Sequence, residues 1–281
     1  MSSTVVRFLL AGSLAMATWG VDPTMPRQTW AHSQIDVPWA AEASPYPPTI
    51  TVLPNGNFVV SDPAYAAGPS TQVGAVYLFS GETGALISRL TGSQTNDRVG
   101  TTITVLANGN FVIQSEYWKN GSAANAGAVT WASAVTGVTG TVSALNSFVG
   151  TTASDQVGFN AYGCANRGVV PLASGNFVIC SPYWDAPSAA NAGALTWVDG
   201  AVGITGTPSI TNSVVGSRSY DYVGMIVAAL TNGDVAFSSR TWDNGGQADV
   251  GAVTWMDGTL GLTGAVSTTN SLVGLAAGNE V

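Results

Sequence analysis

The sequence predicts an all-β repeat fold, a β-propeller of four-stranded blades, on three observations. The first is a recurring motif. Asn-Gly-Asn-Phe-Val stands at Asn55 to Val59 and Asn108 to Val112, Ser-Gly-Asn-Phe-Val at Ser174 to Val178, and Asn-Gly-Asp-Val-Ala at Asn232 to Ala236. The second is its sequel: an aromatic follows each copy (Tyr65, Trp118, Trp184, Trp242), and nine residues later comes a Gly-Ala pair (Gly74-Ala75, Gly127-Ala128, Gly193-Ala194, Gly251-Ala252). The third is composition. Charged residues are 9% of a chain with 34 glycines, which suits short strands and tight turns rather than amphipathic helices. A period of this size points to a repeat architecture before any local reading.

Within each copy, four apolar segments are separated by turn signals. In the second copy they are Thr101 to Leu106, Phe111 to Ser115, Ala128 to Ala132 and Thr141 to Val149. Val, Ile, Phe, Thr and Trp dominate them, as a pleated, half-buried surface prefers. Asn108-Gly109 between the first two segments is a strong hairpin signal, repeated as Asn55-Gly56 and Asn232-Gly233 and replaced by Ser174-Gly175 in the third copy. A join follows: Asn96-Asp97-Arg98-Val99-Gly100, Ser154-Asp155-Gln156-Val157-Gly158 and Tyr220-Asp221-Tyr222-Val223-Gly224. The first two joins are 58 positions apart and the next two 66, the difference being an insertion around Phe159 to Asn166 that carries Cys164. Counting 58 on from Asp221 reaches Asn279, so Asn279-Glu280-Val281 reads as an unfinished join and the expectation is a cut inside a longer array.

Four strands per unit of about 50–60 residues is the pattern of a propeller blade. A β-solenoid is the alternative, with shorter rungs and no hairpin in every copy. The expected blades are about 46–97, 98–155, 156–221 and 222–281, after an N-terminal segment of 1–45. In that segment Arg7, the apolar run from Phe8 to Ala17 and Ala15-Met16-Ala17 fit a secretory signal over 1–17, or else a degenerate strand of an upstream repeat. Trp30 and Trp39 are candidates for a closing strand or cap.

The net charge is −8 and the only lysine is Lys119, so no basic face exists to neutralise phosphate and nucleic acid is excluded as a partner. No run reaches 18 apolar residues, so no membrane-spanning helix is expected. Cys164 and Cys180 read equally as a disulfide of a secreted protein or as two buried thiols.

Catalysis needs a nucleophile with a base, paired carboxylates or a metal. His32 is the one histidine and lies outside the repeats. Asp97, Asp155 and Asp221 recur at equivalent positions and read as caps of the joins, accepting backbone N–H groups. The aromatic loops are the candidate binding sites: Trp118 and Asn120, Trp184 and Asp185, and Trp242, Asp243 and Asn244. An aromatic beside Asp and Asn suits sugar stacking with hydroxyl recognition. The competing reading packs each of these tryptophans over its own blade. A second set, Trp131, Trp197 and Trp255, lies within the third segments and reads as inter-blade core.

Asp221-Tyr222-Val223-Gly224, Ser181-Pro182-Tyr183-Trp184-Asp185 and Gly251-Ala252-Val253-Thr254-Trp255 resemble the FG-GAP repeat of integrin-α-type propellers. They look still more like tandem repeats of large bacterial exported, haemagglutinin-like proteins. The resemblance covers roughly 46–281 and implies a propeller exposed at a cell surface. It departs at one point: FG-GAP blades often hold calcium in a loop of alternating Asp and Asn, whereas these turns are short and supply at most one acid, Asp234. Neither a metal nor another cofactor is expected. The leading functional expectation is a non-enzymatic module of an exported bacterial protein that binds an extracellular glycan or protein. The alternatives are a structural spacer or surface-layer segment and, last, a glycan-active hydrolase. An oligomer or further repeats would complete the ring.

Overall fold

A computed structural model describes residues 47–159, 163–164 and 168–281, together with the backbone of β1 (Val5–Phe8) and β2 (Ile35–Pro38). The expectations placed on the signal segment 1–17 as a whole, on Trp30, His32 and Trp39, and on part of the insertion after Phe159 lie outside the described residues. β1 and β2 pair antiparallel as a separate two-stranded sheet.

Each repeat builds an antiparallel four-stranded meander, and the second and fourth each also give a two-residue strand to the sheet of the preceding repeat. The first holds β3 (Thr49–Val52), β4 (Phe58–Asp62), β5 (Ala75–Phe79) and β6 (Leu86–Thr91). The second runs through β7 (Thr102–Val105), β8 (Phe111–Ser115), β9 (Ala128–Ala132), a two-residue β10 (Gly140–Thr141) and β11 (Phe148–Val149). The third has β12 (Val169–Pro171), β13 (Phe177–Ser181), β14 (Ala194–Val198) and β15 (Val214–Val215). The fourth has β16 (Ile226–Ala229), β17 (Val235–Ser239), β18 (Ala252–Met256), a two-residue β19 (Gly264–Ala265) and β20 (Ser271–Val273). The four-stranded meander in every copy is propeller-like, and the hairpins set a solenoid aside.

The hairpin signal folds as a three-residue loop. In the first copy the Leu53 N–H meets the Asn57 carbonyl at 2.8 Å and the Gly56 N–H meets the Leu53 carbonyl at 2.9 Å. Only the glycine takes positive φ, 88° at Gly56 and 90° at Gly109, as a type I turn closed by a left-handed residue requires.

The predicted fourth segment, Thr141 to Val149, splits in two. Asn146 Oδ1 accepts the Ser143 N–H at 3.0 Å, and this turn interrupts the run. Its first part, β10, leaves its own sheet and pairs in parallel with β6 of the preceding repeat, Gly140 opposite Leu90. The same strap recurs where Gly206 bridges Phe148 and where β19 pairs with β15. The first repeat has no such strap, because β5 passes to β6 through only six residues, 80–85.

Sheets stack face to face, and the apolar cores lie between successive repeats. Leu53, Val59, Val76 and Leu90 of the first meet Phe111, Ile113, Ala128 and Val149 of the second. Val112, Val129 and Phe148 meet Phe177, Ile179 and Ala194, and Val178, Leu195 and Val214 meet Val235, Phe237 and Ala252. A side chain of each sheet thus fills space left by its neighbour, and no repeat closes its core alone. The fourth repeat's outward face is open, with Trp255 57% and Leu272 76% exposed, so none of the described repeats covers it.

Candidate functional site

The recurring polar and aromatic residues converge at the joins between repeats. Asp97 sits between two left-handed residues, Asn96 (φ 67°) and Arg98 (φ 49°), and the same pair flanks Asp155 and Asp221. Left-handed backbone at non-glycine residues costs about 1–3 kcal/mol each, so something must hold it. Two features do. The Arg98 and Val99 N–H groups donate to the Gln72 and Val73 carbonyls at 2.9 and 3.1 Å, a pairing repeated in the later copies. The turned backbone also aims the carboxylate at amides: Asp97 Oδ2 accepts the Ser93 and Gln94 N–H groups at 2.9 and 2.8 Å.

The other oxygen crosses to the next repeat. Asp97 Oδ1 accepts the Lys119 N–H at 3.2 Å, Asp155 Oδ1 that of Asp185 at 3.0 Å, and Asp221 Oδ1 that of Asp243 at 3.2 Å. Each donor directly follows the loop tryptophan. The three carboxylates are fully buried. Burial pushes their pKa above the ordinary carboxylate value, and the backbone N–H bonds pull it only part of the way back.

Anchored this way, the loop tucks its tryptophan under the sheets. Trp118, Trp184 and Trp242 are only 5%, 5% and 4% exposed and pack within the cores formed by successive repeats. This corrects the stacking-platform reading, because a ring stacks on a sugar only with a free face. The polar candidates are also engaged inside the fold. Asn120 Nδ2 donates to the Gly150 carbonyl at 2.9 Å. Asp185 Oδ1 accepts the Asn191 N–H at 2.7 Å and Asp243 Oδ1 the Asp249 N–H at 2.9 Å. The Asn244 backbone closes a small turn with Gln247. The structure therefore places the candidates at equivalent joints and does not gather them into one site.

A second joint uses residues the sequence reading passed over. Asn110 Oδ1 accepts the Ala134 N–H of its own repeat at 3.1 Å, while its Nδ2 donates to the Gly200 carbonyl of the next at 3.1 Å. Trp131 Nε1 donates to that same carbonyl at 2.8 Å, so both of its lone pairs are used. Asn176 and Trp197 repeat this on the Gly258 carbonyl at 3.3 and 2.9 Å. In the first repeat Leu78 stands in the tryptophan's place, and Asn55 joins Asn57 on the Ala134 carbonyl at 2.8 and 2.9 Å. The signal was the second Asn of Asn-Gly-Asn, which the turn itself does not require. Trp131 and Trp197 thus lie between repeats as expected. Trp255 does not: it is exposed, and among the described residues no further repeat stacks on it.

The tyrosines near these loops are more accessible than the tryptophans: Tyr220 is exposed, and Tyr117, Tyr183 and Tyr222 are half-buried. Tyr222 meets Tyr183 edge-on at 6.2 Å and Tyr220 at 6.0 Å, and the Arg98 guanidinium lies 4.9 Å over the Tyr117 ring. Cys164 and Cys180 form a disulfide, with sulfurs 1.98 Å apart. Among the described residues no group of three His, Cys, Asp or Glu is placed to hold a metal ion, and no helix is long and apolar enough to cross a membrane.

A family profile described as a repeat of unknown function (DUF5650) matches residues 52–101, 105–159, 171–225 and 229–281. The chain belongs to this repeat family. The four DUF5650 matches fall on the four sheets, each spanning one hairpin, one aromatic loop and one join. A comparison with curated proteins finds no match.

Proposed function

We propose that the protein is a non-enzymatic structural array, a spacer or surface-layer module of an exported protein whose repeats bind one another. The single observation behind this reading is that the recurring Asp and Trp side chains are spent on joints between successive repeats. Catalysis depends on residues that differ from their surroundings, whereas these obey the repeat. The Cys164–Cys180 disulfide and the likeness to haemagglutinin-like exported repeats support export to an oxidising compartment.

The test is a screen of the intact protein against glycans and extracellular-matrix proteins, with parallel unfolding measurements. This reading expects no saturable binding. Saturable binding that is lost in a loop variant with unchanged stability would overturn it.

A second reading, adhesion through glycan stacking, draws on a different aromatic set from the tryptophans. Tyr183, Tyr220 and Tyr222 cluster beside Asp185, with Tyr220 56% exposed and both Tyr220 and Tyr222 held in left-handed backbone. Tyr220→Ala separates the two readings, because it removes an exposed ring and leaves the joints in place.

A further inference from the structure

The fourth repeat presents, uncovered, the face that each earlier repeat closes against its successor. In the third repeat Leu195 and Val214 are fully buried by the fourth, and Trp197 is half-buried with its indole N–H on the Gly258 carbonyl. Their equivalents in the fourth are Val253, Leu272 and Trp255, of which Leu272 is 76% and Trp255 57% exposed. Ala236, Ser238 and Val253 alternate with buried neighbours along β17 and β18, so one whole side of this sheet faces outward.

We propose that this face is a docking surface for a further repeat of the same type, stacked on the fourth as the fourth stacks on the third. The proposal rests on the array reading above and adds the partner and its orientation. Three internal interfaces say what such a face accepts. Glycines of the succeeding repeat lie against the tryptophan: a Cβ at Gly203 would come within 2.7 Å of Trp131, and one at Gly261 within 3.0 Å of Trp197. A carbonyl at the start of the same turn takes the indole proton, and a strap strand adds in parallel to the exposed last strand.

The join is also in place. Glu280 N–H donates to the Asp249 carbonyl at 3.2 Å, and Asn279 Oδ1 accepts the Leu275 and Ala276 N–H groups at 2.9 and 2.7 Å, as the aspartates do at earlier joins. The first repeat of a second copy does not fit this face. Its opposite side is already closed around Phe58, Tyr77 and Phe79, each under 9% exposed, and it lacks a strap.

One internal contact is altered. Asp234 stands where Asn57, Asn110 and Asn176 each donate to the next repeat, and it has no proton to give. Trp255 is therefore the main polar anchor of the face, and Asp234→Asn adds the missing donor.

The test compares the intact chain with one in which residues 224–281 are repeated once after Val281, using hydroxyl-radical footprinting read by mass spectrometry. Trp255 oxidises freely in the intact chain and is protected to the level of Trp197 in the extended one. In the extended chain Trp255→Ala lowers the unfolding temperature and Asp234→Asn raises it, while neither moves it in the intact chain. Trp255 oxidised equally in both chains would overturn the proposal. Sedimentation showing that the intact chain pairs through Trp255 would also overturn it, by assigning the face to a second copy. Neither result bears on the ligand screen that tests the array reading.

Discussion

Trp197 of the third repeat donates its indole N–H to the Gly258 carbonyl of the fourth at 2.9 Å, across 61 residues of chain. Gly261, in left-handed backbone with φ of 71°, leaves room for the ring at its back. Trp131 makes the same bond to Gly200, and the two pairs define how one repeat seats on the next. Removing a half-buried ring and its bond should cost about 2–3 kcal/mol for Trp197→Ala or Trp131→Ala. Trp255→Ala, which removes an exposed ring, should fall within about 0.5 kcal/mol of the parent. Urea unfolding of the three variants checks the contrast, and equal losses would count against it.

Glycine at the Gly-Ala pair answers to sterics. Gly193 has φ of 77°, and a Cβ there would strike the Val223 backbone of the join. Gly193→Ala should therefore lose about 3 kcal/mol or more, enough to reduce soluble yield. Gly233→Ala is the control: φ is 96° but no atom lies within 4 Å, so strain alone should cost about 1 kcal/mol. Thermal unfolding of both variants reads the difference.

The buried aspartates give stability an unusual pH trend. Burial holds the carboxyls of Asp97, Asp155 and Asp221 above their ordinary value of 3.8, so just above that pH the folded state binds more protons than the unfolded one. Stability from these groups therefore rises as pH is lowered into that window and is least once all three are ionised. Asp257 runs the other way, its carboxyl held low by Thr259, but it is exposed and weighs less. Urea midpoints should be higher near about pH 4 than near about pH 7. Asp155→Asn should flatten the trend. It should also cost about 1–3 kcal/mol, because the Asp185 N–H loses its acceptor. A trend of opposite sign, unchanged in the variant, would contradict this.

The disulfide closes a loop of 16 residues in the third repeat, and Cys180 is buried in the core shared with the fourth. Closing a loop of that size stabilises by about 3 kcal/mol, so reduction should lower the unfolding midpoint by a comparable amount. Mass spectrometry of the alkylated protein before and after reduction confirms that this one bond is responsible.

Much of the fold was legible because its causes are local. Asn55-Gly56 states a turn, Phe58 to Val60 a strand, and the 58-residue spacing a repeat. The join aspartates were readable for the same reason, as the first two N–H groups that donate to them lie within four residues. What escaped depends on neighbours far along the chain. Thr141 looks like the start of one strand, and only the presence of Leu90 and Thr91 on the preceding sheet turns it into a strap. Trp184 beside Asp185 looks the same in a binding loop and in a joint. The Asp155 carboxylate, 30 residues away, anchors the loop and puts the ring inside. Trp131, Trp197 and Trp255 are interchangeable as sequence, and only the presence of a successor tells them apart.

The central claim is that the loop tryptophans join repeats rather than recognise a ligand. Urea unfolding of Trp184→Ala tests it most directly. With the ring 5% exposed between the second and third repeats, the account predicts a loss of about 3–5 kcal/mol. A variant as stable as the parent would contradict it and return Trp184 to the surface as a recognition residue.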